Sequence, residues 1–120
     1  VYAEPASTPQ PPQIRFTALP PSGQGPDSRG NIAGTIGGVD APEQYRIVIY
    51  ALTDRWYVQP LADHPLSPIG HDGSWSTWTH LGTRYGAILV DSTYQAASTL
   101  MALPQRGNGV LATAEAAAAN

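Results

Sequence analysis

The stretch that most constrains the fold is QYRIVIYAL, residues 44–52, where apolar side chains occupy both alternations of an extended chain. β-Branched and aromatic residues favour strands, and successive side chains of a strand point to opposite faces. One face would carry Ile47 and Ile49, and the other Val48 and Tyr50. A strand that is apolar on both faces needs cover on both sides, so residues 44–52 are predicted to form a central strand.

Similar short apolar runs follow one another along the chain, separated by turn-forming Gly, Pro, Asp and Ser. No helical periodicity precedes residue 111. Short strands at this spacing predict an all-β chain, an immunoglobulin- or fibronectin-like β-sandwich of about seven strands, with a small barrel as the alternative. The runs are residues 14–19, 31–39, 44–52, 56–60, 73–80, 84–90 and 97–103.

The chain divides by composition into an arm, a domain and a tail. Residues 1–13 are rich in proline, which excludes helix and central strand, so they are predicted to form an extended, polyproline-like arm. Residues 14–104 are predicted to form the sandwich. Residues 105–120 form a Gly-rich and then Ala-rich tail, whose last part favours helix but is too short to hold one alone.

The charge content is low, and it narrows the classes of partner. Only 12% of the 120 residues are charged, against about 25% in an average domain, and all six basic residues are arginine. The net charge of −3 is a poor match for phosphate backbones, so nucleic-acid binding is not expected. A neutral, hydroxyl-rich surface costs little to desolvate, which suits contact with neutral polysaccharide or with other copies of the chain.

Export is predicted from the start of the chain, which is Val1 and not Met. The chain opens with Val1-Tyr2-Ala3, which has the small-x-Ala pattern of a signal-peptidase site. It has no cysteine, so its fold does not depend on the redox compartment, and no apolar run is long enough for a membrane span. We therefore expect an extracellular or cell-surface protein that is exported by a signal peptide.

Two motifs, WYVQP at 56–60 and DGSWS at 72–76, resemble those of a family of small all-β accessory domains. These domains recur in exported bacterial proteins, sometimes beside glycoside hydrolases. The resemblance extends over about residues 14–104. It implies an immunoglobulin-like module and export, and it implies no catalytic residue and no defined ligand.

Catalytic and metal sites are not predicted. His64, His71 and His80 match no compact metal motif in their spacing. Each aspartate that might pair for hydrolysis falls at a turn, where such residues bond to their own backbone. No serine-nucleophile or phosphate-loop motif occurs. The chain is therefore expected to be no enzyme and to hold no cofactor and no metal.

Aromatic residues offer a candidate ligand surface. Trp56, Tyr57, Trp78 and His80 are the residue types that stack on sugars and bond their hydroxyl groups. Trp75 and Trp78 are three residues apart, so in a regular strand they point to opposite faces. We predict that Trp75 enters the core and that Trp78 lies exposed with His80. This would give a carbohydrate-binding accessory module.

Self-assembly is the function that we place first. The open edge of a sandwich accepts a strand or an arm from a neighbour, and head-to-tail exchange of this kind builds a filament. The prediction is a subunit of an extracellular filament or surface layer, a homopolymer held by arm docking. The arm residues expected to make the contact are Tyr2, Pro5, Pro9, Pro11, Pro12 and Ile14.

Overall fold

A computed structural model describes residues 12–23, 28–59, 66–107 and 109–119, and these form an all-β structure of two antiparallel sheets. A single short 3-10 helix, Pro42–Gln44, occurs among these residues. The nine strands are β1 (Gln13–Ala18), β2 (Arg29–Gly37), β3 (Tyr45–Leu52), β4 (Trp56–Gln59), β5 (Ser67–Pro68), β6 (Ser74–His80), β7 (Arg84–Asp91), β8 (Thr99–Leu100) and β9 (Val110–Ala117).

The smaller sheet, sheet I, has the order β1-β2-β6, and the larger, sheet II, has the order β8-β4-β3-β7-β9 with β5 also paired to β3. β3 pairs with β7 over its whole length, from Tyr45 opposite Asp91 to Leu52 opposite Arg84. β3 is therefore the central strand that its sequence predicted. The all-β fold class is confirmed, and the two stacked sheets fit a sandwich.

The main core lies between the sheets. Sheet II contributes the side chains of one face of β3, among them Ile47 and Ile49, and sheet I contributes Ile32 and Trp75. Trp75 packs edge-on against Phe16, with the ring centroids 6.0 Å apart. Burial of this apolar surface is the principal favourable term that holds the two sheets together.

A second cluster covers the opposite face of β3. It contains Val48 and Tyr50 and is closed by the segment 94–103 instead of by a third sheet. Gly86 makes this cover possible, because a Cβ there would lie 2.4 Å from Leu103 Cδ1. The Tyr50 hydroxyl donates to Ala97 O at 3.1 Å and fixes the covering segment in place.

The C-terminal segment differs from its prediction. Residues 110–117 are β9, paired along β7 from Val110 opposite Val90 to Ala117 opposite Arg84, so this part of the chain is neither a helix nor a tail outside the sandwich. The alanines alternate between a side that faces the core and a side that is exposed. Packing of the inward residues against β7 outweighs the intrinsic helix preference of alanine.

Two further differences are smaller. The predicted strand at 97–103 is reduced to the two residues of β8, because the rest of that segment lies across the second cluster. The arm is described only from Pro12 onward, and β1 begins at Gln13, so the prediction for residues 1–11 lies outside the described residues. Among the described residues no helix is long and apolar enough to cross a membrane.

Candidate functional site

Trp56 is not part of an exposed aromatic surface, and its prediction as a ligand-binding residue is corrected. It is 5% exposed and packs in the second cluster of sheet II with Val58. Its neighbour Tyr57 points to the other face of β4 and is 37% exposed. The Tyr57 hydroxyl donates to Asp54 Oδ1 at 3.0 Å. Strand alternation separates these two rings, so they do not form one platform.

Trp75 and Trp78 take the sides that the two-residue period predicts. Trp75 is buried, and Trp78 lies half-buried on the outer face of sheet I beside His80, at 5.2 Å between ring centroids. The Arg29 guanidinium lies over the indole of Trp78, 4.7 Å from the ring centroid. A cation over the ring occupies the surface on which a sugar would stack, so Trp78 is less available than its sequence suggests.

Two of the turn aspartates, Asp72 and Asp91, are bonded within their own turns, as predicted. Asp72 Oδ1 accepts hydrogen bonds from Ser74 N at 3.0 Å and Ser74 Oγ at 2.7 Å. Asp91 Oδ1 accepts from Thr93 N at 2.8 Å and from Thr93 Oγ1. These bonds favour the charged form, so they lower the pKa of both carboxyl groups. These bonds fix the two turns.

The two described histidines are not brought together. His71 is exposed in the turn before β6, and His80 is half-buried at the end of that strand. His64 lies outside the described residues. Within the described ranges, no group of three or more His, Asp or Glu side chains is arranged to hold a metal ion.

β6 is an edge strand of sheet I, and the side of the sandwich along it is called the β6 margin. A buried glutamine of sheet II closes this margin. Gln59 of β4 is 4% exposed, and its Oε1 accepts a hydrogen bond from His80 N at 2.9 Å. The same oxygen lies 2.9 Å from His80 Nδ1. At the other end of β6, Gly70 N donates to Ser74 O at 2.8 Å. Backbone groups on the free side of β6 therefore have partners at both ends of the strand.

The opposite margin, where β1 lies near β9, is joined only at its ends. Arg106 donates from Nη2 to Pro12 O at 3.3 Å and from Nε to Leu111 O at 3.0 Å. At the far end Ala119 N donates to Pro20 O at 3.0 Å. Between these points the described residues show no backbone hydrogen bond from β1 to β9. β9 is thus hydrogen-bonded to β7 on one side, and on its other side β1 of the same chain lies beside it without a ladder.

A groove of about 490 Å³ runs along the outer face of sheet II to β9. Its apolar lining includes Leu52 and Leu103, and β9 contributes Thr113 and Glu115. Met101 stands at its wall and is 79% exposed, the most exposed large apolar side chain among the described residues. An edge strand without a ladder partner on its outer side, beside an exposed apolar groove, is a surface suited to another chain.

Sequence reasoning missed the residues that form both margins. Gln59 and Arg106 have no motif around them, and each acts only because the fold brings a distant backbone group within reach. β9 was missed because its alanines favour helix when they are read alone. The exposed Met101 lay inside a run that was predicted as a strand.

Comparison with known proteins adds no relative: no family model matches the chain, and neither a curated protein nor a solved structure is similar to it.

Proposed function

We propose that this protein is a non-enzymatic structural subunit that assembles with copies of itself outside the cell, as a filament or surface layer. The observation that carries the proposal is the edge strand β9, eight residues long, which forms no ladder with the neighbouring β1 in the described chain and lies beside the groove at Met101. Soluble monomers normally blunt such an edge with lysine, proline or a short strand. β9 contains neither residue, and its one charged side chain, Glu115, pairs with Arg84 of the same sheet.

The low charge of the chain supports the same proposal. Copies that carry few charges repel each other weakly, and their contact surfaces lose little solvation when they meet. The absence of cysteine from the sequence fits a protein whose stability outside the cell rests on packing alone. Export by a signal peptide and a bacterial source are part of this proposal.

An immunoglobulin-like arrangement is proposed for the two sheets, in line with the resemblance to small accessory domains. The order β1-β2-β6 against β4-β3-β7-β9 corresponds to strands A-B-E against C′-C-F-G of that fold. Tyr85 supports the assignment. It lies near the start of β7, and its hydroxyl accepts from Gly82 N at 3.0 Å and donates to Pro21 O at 2.9 Å. This matches the tyrosine corner of such domains.

Binding of a neutral polysaccharide is the second candidate. The outer face of sheet I is not covered by the described chain, and it presents Ser74, Ser76 and Trp78 on one side of β6. Of the four aromatic and histidine candidates, only Trp78 and His80 share this face. Because Arg29 lies over the indole, we place this candidate behind assembly.

The oligomeric state of the full chain tests the first proposal. Sedimentation velocity over a wide concentration range, with negative-stain microscopy of the same samples, is expected to show species that lengthen as concentration rises. A chain that stays monomeric at its highest soluble concentration would refute the proposal. For the second candidate, tryptophan fluorescence is followed while a soluble β-glucan is added. A response that Trp78→Ala abolishes would support glycan binding, and no response would exclude it.

A further inference from the structure

We infer that the outer face of sheet I binds an acidic polysaccharide, in which sugar units that carry a carboxylate are separated by neutral ones. The inference rests on the second candidate of the proposed function, polysaccharide binding, and changes its ligand from a neutral to an acidic one. It does not depend on self-assembly. Two arginines of the outer face and the groove between them support it.

The three strands of sheet I are positively charged in a negatively charged chain. They contain no aspartate and no glutamate, although the net charge of the chain is −3. Phe16 and Ile32 pack in the core, so the alternation of side chains places Arg15 and Arg29 on the outer face. Arg29 lies opposite His80 of β6. An anionic ligand would find a complementary surface here and on no other face of this sheet.

Neither of these two arginines is occupied by the described part of the chain. Three other arginines bond to backbone oxygens or to Glu115. Arg15 and Arg29 have no hydrogen bond and no ion pair among the described residues. A guanidinium has five N–H donors in a planar fork that matches a carboxylate. Both side chains therefore keep these donors available for a ligand.

Aromatic side chains hold the guanidinium of Arg29 in place. It lies 4.7 Å from the centroid of the Trp78 ring, and His80 stands edge-on to the same indole at 5.2 Å between ring centroids. His80 is fixed in turn, because its Nδ1 lies 2.9 Å from Oε1 of the buried Gln59. A stacked guanidinium loses less conformational freedom when it binds an anion. The contact that makes Trp78 less available to a neutral sugar thus prepares Arg29 for a carboxylate.

A groove of about 620 Å³ lies on the outer face between the two arginines. Small side chains such as Ala33 and Ser76 line it, and residues 68–70 lie along its side next to β6. The hydroxyl groups of Ser76, Thr17 and Thr35 also line the groove, and they make no hydrogen bond within the described chain. Since a hydroxyl both donates and accepts, these groups are suited to the hydroxyl groups of sugars.

The spacing of the two cations favours one class of anionic chain. Arg29 and Thr35, the partner of Arg15, are six residues apart on β2, which is about 20 Å at about 3.3 Å per residue. A nucleic-acid strand carries a charge about every 3.4 Å, and the face has no cation between its two arginines to meet such charges. Neutral sugars between two carboxylates would instead meet the hydroxyl groups of the groove. The one carboxylate near this face, Asp72, is already bonded to Ser74.

Isothermal titration calorimetry of the full chain with glucuronoxylan tests the inference. This polysaccharide is a chain of neutral xylose units with scattered glucuronate groups. The same polysaccharide with its carboxyl groups reduced to alcohols is the matched ligand control. Glucuronoxylan is expected to bind about tenfold or more tightly than the reduced form, because its carboxylates accept charge-assisted hydrogen bonds. Its binding should weaken as salt is added.

Substitutions that remove one charge locate the contact. Arg29→Gln is expected to weaken binding of glucuronoxylan about tenfold, and Arg15→Gln about threefold, because no ring holds Arg15 in place. Arg55→Gln is the matched control, since it removes the same charge from the exposed turn between β3 and β4 of sheet II. It should change the dissociation constant by less than about twofold. Trp78→Leu keeps both arginines but releases Arg29, so a loss of about threefold is expected.

The outcomes separate the inference from both candidates of the proposed function. Equal binding of glucuronoxylan and its reduced form would overturn the inference and leave neutral polysaccharide binding standing. Equal binding of poly-L-glutamate would contradict it in favour of an acidic protein partner. An equal loss for Arg29→Gln and Arg55→Gln, with both variants folded by circular dichroism, would refute the assignment to this face. Binding of none of the three polymers would overturn polysaccharide binding altogether, while self-assembly is judged separately by sedimentation.

Discussion

Replacement of Gln59 by leucine is predicted to destabilise the domain by about 2–3 kcal/mol. The side chain is 4% exposed and joins the sheets across the β6 margin, with Oε1 as acceptor for His80 N at 2.9 Å. Leucine has a similar volume, so packing is largely kept while the acceptor is lost. An unpaired buried donor costs about 1–3 kcal/mol. The weaker bond from Gln59 Nε2 to Tyr57 O, at 3.3 Å, is lost as well.

The expected shift in melting temperature follows from the size of the chain. At about 2.1 cal/mol/K per residue, the unfolding entropy of 120 residues is about 0.25 kcal/mol/K, so 1 kcal/mol corresponds to about 4 °C. Gln59→Leu should therefore melt about 8–12 °C below the parent. Gln95→Leu is the matched control, because Gln95 is exposed in the covering segment. Its melting temperature should change by no more than about 2 °C, corresponding to about 0.5 kcal/mol.

Thermal unfolding followed by tryptophan fluorescence measures both variants, and amide hydrogen exchange locates the change. The His80 amide should be protected in the parent and in Gln95→Leu, and it should exchange rapidly in Gln59→Leu. A melting temperature for Gln59→Leu within about 3 °C of the parent, with the His80 amide still protected, would refute the assignment of Gln59 as the closure of this margin.

Three further predictions concern stability. Gly34→Ala should cost about 3 kcal/mol or more in urea unfolding, because its Cβ would lie 2.2 Å from Arg15 O and 2.5 Å from the Trp75 ring; an unchanged urea midpoint would contradict this. Burial raises the pKa of the Tyr50 hydroxyl to about 12. The stability that the neutral hydroxyl contributes is therefore complete below pH about 10 and is lost as the pH rises toward 12. Phenolate absorbance should show ionisation of Tyr50 only as the domain unfolds. The bonds from Ser74 lower the pKa of Asp72, so the stability that its carboxylate contributes is present above pH about 4 and is lost as the pH falls further. Asp72→Asn should therefore make the fall of the melting temperature at acid pH shallower. An unchanged fall would contradict this.

The strands of the domain were predictable where local pattern and tertiary packing agree. Residues 45–52 are apolar on both faces, and they pair on both sides and are covered on both faces. Trp75 could be assigned to the core because the Asp72 turn sets the phase of β6 and the two-residue period does the rest. In these places the two-residue period of apolar side chains is enough to predict both the strand and its buried face.

β9 and the second cluster could not be predicted in the same way. A run such as VLATAEAA has no β preference of its own, and it becomes a strand because β7 offers a free edge and a core face. The apolar face of β4 signals burial of Trp56, but the segment that covers it lies about forty residues later. An irregular covering segment leaves no periodic pattern in the sequence. Sequence alone therefore predicts that Trp56 lies on an exposed aromatic surface.

The two margins of the sandwich explain why assembly would use one edge and not the other. At β6, Gln59 and the turn at Gly70 occupy the backbone groups at both ends, so an incoming strand would have to displace bonds already made. At β9 the outer side lies beside β1, and hydrogen bonds to Arg106 and Pro20 hold its two ends, with no ladder between the two strands in the described chain. Edge pairing is non-specific unless other edges are closed. Of these two margins in the described chain, the one at β9 has fewer backbone groups already bonded, so it is the one that the proposed assembly would use.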